Sequence, residues 1–240
     1  MSVIGIFFLF LASTTVFWLA RQGVMSSRWL EEGESVAGTG TSTGVGGPAP
    51  LPAVKVGLAV FLTVAGCIFS LLMAAFFMRG DAADWLVPPL PNILWFNTAI
   101  LVGASVALQS AASAARQGDL VRLRMLLIAS AATTALFLLG QLWAWREMHD
   151  EGFYVARNAA NAFFYLLTGV HGAHLLGGIV ALARTMAKAW DGAAKAAKLA
   201  LSVELCAFYW HFLLVVWLLL FAMMAGGMNE FGGLCRRLLS

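Results

Sequence analysis

Six stretches of apolar residues divide the chain: Met1–Ala20, Val56–Met78, Ile93–Ala115, Met125–Trp145, Ala159–Ala183 and Val203–Ala225. Each is about 20 residues long or more, the length a helix needs to cross a hydrocarbon core about 30 Å thick. The first four hold no charged residue, and every proline falls in one of two loops, near 48–52 and 88–91. None of the runs shows the every-second-residue alternation of a barrel strand. In lipid the backbone must satisfy its own hydrogen bonds, and a helix does so within one segment. The pattern predicts an all-α, polytopic membrane bundle, one N-terminal helix followed by a core of five.

The spacing of the runs sets the expected organisation. Residues 1–20 read as a transmembrane anchor. They lack a basic leading segment and an Ala-x-Ala-like cleavage site before Arg21, so we read them as retained and not as a signal peptide. Residues 21–54 form a loop whose stretch from Gly33 to Pro52 is rich in Gly, Ser, Thr and Pro, the composition of a flexible linker. Residues 55–225 hold the five-helix domain, and 226–240 a short tail. No internal repeat and no pair of broken helices is visible, which argues against a secondary transporter.

Composition agrees with this picture. Hydrophobic residues make up 61% and charged residues 11% of the 240, with a mean hydropathy of +0.84. Soluble domains carry about 45–50% apolar and about 25% charged residues. A soluble domain, a disordered chain and a disulfide scaffold are all excluded. Cys67, Cys206 and Cys235 are odd in number and far apart, and read as packing thiols. A net charge of +3 is too small to imply a nucleic-acid partner. Lys and Arg instead report orientation. Loops 21–55, 116–124 and 184–202 hold ten of the 15 basic residues. Positive-inside bias puts those loops in the cytoplasm and both termini outside. Trp18, Trp85, Trp95, Trp143 and Trp145 lie near expected helix ends, where aromatic belts form, and some of them are expected to pack between helices instead.

Ionisable residues at membrane depth are costly and need an account. Here they are His171, His174, Glu204 and His211. At about 1.5 Å of rise per residue, His174 and His211 lie at similar depths on two successive helices. His171 and His174 share one helical face, which Tyr165 and Thr168 extend. Gly169, Gly172, Gly177 and Gly178 would let a neighbouring helix approach closely. Three readings follow. One is a structural polar seam, hydrogen-bonded between helices or to a lipid headgroup. A second is a b-type haem held between His174 and His211. A third is a proton or ion path through the His/Glu cluster, which no second carboxylate continues. His-x-x-His alone supports a zinc site weakly. Asn97, Thr98, Ser105, Gln109, Ser130, Thr133, Thr134 and Gln141 are uncharged and suit interhelical hydrogen bonds. No nucleophile elbow, P-loop or dinucleotide fingerprint occurs, so no catalytic residue is assigned.

The run Phe164-Tyr165-Leu166-Leu167-Thr168-Gly169-Val170-His171-Gly172-Ala173-His174 resembles the Phe-Tyr-x-x-Thr-Gly-x-His-Gly-x-His motif of haem–copper cytochrome c oxidase subunit III. Glu204, followed by Tyr209-Trp210-His211-Phe212 and Val215-Val216-Trp217, resembles the last helix of that family. Phe61-Leu62, Asn97-Thr98 with Ser105, and Gly140-Gln141 with Trp145 fall in the family's order, so the resemblance covers about residues 55–225. It implies a non-catalytic subunit of a proton-pumping terminal oxidase in the bacterial inner (plasma) membrane. Haem and copper would lie in partner subunits I and II, with no metal or other cofactor in this chain. The subunit would pack on subunit I and bind structural phospholipid. On this resemblance His171, His174, Glu204, Trp210 and His211 match polar and lipid-facing positions of the family. The chain also departs from it. Leu214 stands where an Asp is common, Ala144 where a Glu is common, and Thr63-Val64-Ala65 where a carboxylate is usual. These losses favour a structural role over proton handling. One helix precedes the core where family members have two or none. A quinol oxidase or nitric oxide reductase accessory protein is the alternative setting, and a membrane cytochrome b a more distant one.

Overall fold

The computed structural model describes residues 53–80, 85, 89–191 and 196–226. The anchor expected at 1–20, nearly all of the linker and all but the first residue of the tail lie outside the described residues. Five helices follow one another: α1 (Ala53–Gly80), α2 (Ile93–Gln117), α3 (Leu120–Asp150), α4 (Ala159–Asp191) and α5 (Ala196–Met224). All five are long and apolar enough to cross a membrane. No strand occurs among the described residues.

The helices outrun the apolar stretches that predicted them. The run Met125–Trp145 lies inside the 31-residue α3, and Ala159–Ala183 opens the 33-residue α4. Apolar runs mark what the bilayer covers, whereas helices end where the backbone is capped. Between α2 and α3 the capping takes two residues. Gly118 adopts φ +75°, a left-handed conformation that suits glycine. Asp119 then accepts a hydrogen bond from the Arg122 N–H at 3.0 Å, opening α3. So short a connection makes α2 and α3 antiparallel neighbours. After α3, Gly152 (φ +84°) turns the chain, and Asn158 caps the start of α4 by accepting from the Ala160 N–H.

The chain divides into two units, Met1–Val64 and Ala65–Ser240. Of the first, the described part is the opening of α1, a regular helix. In the second, α2 packs on α3, α3 on α4, α4 on α5 and α5 on α2, which closes a four-helix ring. From Ala65 onward α1 leans on α4: Phe69 meets His174 at 5.1 Å between ring centroids, and Phe76 meets Phe163 at 5.8 Å. Trp210, Trp217, Phe137, Leu101, Leu108, Leu123 and Leu127 are wholly buried within the ring.

Two glycines permit close approach. At Gly140 an added Cβ would strike the Asn97 amide of α2, and at Gly178 it would lie 2.7 Å from the Tyr209 ring of α5. Gly172 and Gly177 face nothing within 4 Å among the described residues, and Gly169 has only ordinary contact with Trp145. Of the four glycines expected to admit a neighbour, Gly178 alone does so tightly. A run of small residues shows that close approach is affordable. It does not show which face the neighbour takes.

Candidate functional site

The polar residues of the ring are used mainly to join helices. Three of these joints share one design. The Thr98, Thr134 and Thr168 hydroxyls donate to the carbonyls of Leu94, Ser130 and Phe164, one turn back on their own helices. That fixes each rotamer and leaves the oxygen free to accept. A tryptophan N–H from another helix fills each position: Trp217 on Thr98 at 3.0 Å, Trp210 on Thr134 at 3.3 Å and Trp145 on Thr168 at 3.0 Å. The three bonds tie α5 to α2, α5 to α3 and α3 to α4. Of the tryptophans near helix ends, Trp145 packs between helices, its N–H pointing inward to Thr168. Trp95 and Trp143 are largely exposed on the flanks, as a belt requires.

The other expected site residues separate into several environments. Tyr165 donates to the Phe153 carbonyl at 3.2 Å, in the loop that leads into α4. His171 is fully buried among Trp217, Phe137 and Phe69, with ring centroids 5.1, 6.1 and 6.3 Å away. Neither of its nitrogens has a hydrogen-bond partner. His174 is half-buried, and its Nδ1 bonds the Val170 carbonyl of its own helix at 2.8 Å. Its own carbonyl accepts from the Tyr209 hydroxyl at 2.7 Å. Glu204 lies on an exposed face of α5.

His211 turns toward α2. In its neutral form Nε2–H donates to Gln109 Oε1 at 3.1 Å, and Nδ1 accepts from the Ser105 hydroxyl. The facing histidine pair needed for a b-type haem is therefore not formed. Tyr209 and His211 are two residues apart, about 200° around the helix. Because Tyr209 reaches α4, His211 points away from it. Counting residues addresses depth along the helix, but not rotation about its axis. Among the described residues no group of three or more His, Cys, Asp or Glu side chains could hold a metal ion.

Sequence reasoning missed a further joint at the end of the ring where α2 connects to α3. Arg124 of α3 donates twice to the Ala189 carbonyl near the end of α4, at 3.1 and 2.9 Å. Its guanidinium lies 5.5 Å from the Trp190 ring. An arginine just outside an apolar run was counted only for its charge.

Comparison with known proteins gives these motifs a context. The family model described as cytochrome c oxidase subunit III matches residues 1–225. A protein of Nocardia farcinica named "Probable cytochrome c oxidase subunit 3" is 32% identical over 178 residues, covering 70% of this chain and 85% of that protein. The cytochrome c oxidase subunit 3 of Corynebacterium diphtheriae is 29% identical over 182 residues, with the same coverage. That of Thermostichus vulcanus is 29% identical over 177 residues, covering 70% and 84%.

Proposed function

Since the chain belongs to the cytochrome c oxidase subunit III family, we propose that it is the non-catalytic third subunit of a respiratory haem–copper terminal oxidase. In this reading it stabilises subunit I and holds structural phospholipid, while subunits I and II carry the haem and copper that reduce oxygen and translocate protons. The family match over residues 1–225 carries the proposal. The use of polar side chains as helix joints supports a structural role. So does the large apolar flank, which includes Trp95, Phe96, Leu139, Leu142 and Trp143. His174, Glu204, Gln109 and His211 are polar side chains that remain exposed or half-exposed on the helix faces. We place the protein in the bacterial plasma membrane with both termini outside, on the distribution of Lys and Arg.

Gentle solubilisation, affinity recovery of this chain, mass spectrometry and a haem spectrum test the proposal. The expected result is co-recovery of a haem–copper subunit I with its haem absorption. Recovery of the chain alone, or with an unrelated membrane complex, would overturn it.

A further inference from the structure

The ring encloses polar atoms that no protein group satisfies. Both amide atoms of Asn97, both of Gln141 and both ring nitrogens of His171 lack a hydrogen-bond partner. The three residues are 0, 4 and 0% exposed. Buried amides and imidazoles in native proteins are almost always paired, so six unpaired atoms together call for a partner.

The three side chains converge from three helices. Antiparallel α3 and α4 set Phe137 against His171 at 6.1 Å and Trp145 against Thr168 at 3.0 Å. Gln141 lies midway between Phe137 and Trp145, so it faces the turn of α4 from Thr168 to His171. The Asn97 amide of α2 lies over Gly140, beside Gln141, where any Cβ would collide with it. Trp217 of α5 closes the group. Its ring lies 5.1 Å from that of His171, and its N–H reaches Thr98, next to Asn97.

We propose that Asn97, Gln141 and His171 form an internal water-binding site, in which ordered water bridges the two amides and the imidazole. The chemistry selects the ligand. The site offers donors and acceptors together, as water requires. It has no cationic side chain for an anion, and a single imidazole with neutral amides is a poor set for a metal ion. The bound water links α2, α3 and α4 beside the Trp145–Thr168 bond that joins α3 to α4 directly. This inference does not depend on the proposed function.

X-ray radiolytic footprinting of the purified chain, with whatever membrane proteins accompany it, tests the site. Radicals formed from bound water oxidise the side chains beside it. Trp217 and Trp210 are both 0% exposed and chemically alike, so they form an internal control. We expect severalfold more oxidation at Trp217 than at Trp210. Equal or lower oxidation at Trp217 overturns the proposal. Apolar replacement gives an independent readout. Were the amide dry, Gln141→Leu would remove an unsatisfied group and raise the melting temperature. With water bound, it lowers the melting temperature and removes the excess oxidation of Trp217. An unchanged or raised melting temperature, or persistence of that excess, overturns the assignment.

Discussion

Thr98, Thr134 and Thr168 each use one hydroxyl twice, donating to their own helix and accepting from a tryptophan of another. The isosteric change Thr134→Val keeps the shape but leaves the Trp210 N–H buried and unpaired. It should cost about 1 kcal/mol, a typical value for an interhelical hydrogen bond in lipid, seen as a lower melting temperature of the purified complex. Thr133→Val removes a hydroxyl bonded only within α3, and should leave that temperature nearly unchanged. His211 makes its bonds to Ser105 and Gln109. We expect His211→Ala to reduce the amount of this chain retained in the complex and to leave the complex's haem absorption as it was. Loss of that absorption with assembly intact would contradict a structural role for His211.

Between helices, the contact of Gly140 with Asn97 sets how closely α2 and α3 approach. Gly140→Ala should destabilise by about 1–3 kcal/mol, the usual range for overpacking. Adding Asn97→Ala should recover much of that loss, and thermal melts of both single variants and the double variant measure the coupling. Gly177→Ala meets open space and should be neutral or slightly stabilising. The number and order of the five described helices were legible because bilayer crossing imposes length and charge exclusion on each run separately. The ends of α3 and α4 were less legible, because Gly118, Asp119 and Gly152 act through backbone conformation and not through hydropathy. Counting residues gave an expectation for the depths of His174 and His211, and nothing about their directions. Those depend on which face of α5 meets α2 and which meets α4. The Trp–Thr joints were hidden for the same reason, although each partner stood in view as an uncharged polar or aromatic residue.

At the scale of the whole molecule, topology is the most direct test of orientation. Single cysteines at Gln117 and Arg157, in a background without the native cysteines, should react with an impermeant maleimide from opposite sides. We expect Gln117→Cys to be modified only from the cytoplasmic side and Arg157→Cys only from outside. The reverse pattern would invert the placement of the termini. The ring also has an order of assembly written into it. Two of its three Trp–Thr joints, and the aromatic ring lying closest to His171, come from α5, the last described helix to leave the ribosome. A nascent chain halted before α5 therefore presents the Thr98 and Thr134 hydroxyls and the His171 imidazole to lipid. Biogenesis factors that shield polar transmembrane segments would be needed most on this protein just before α5 is inserted.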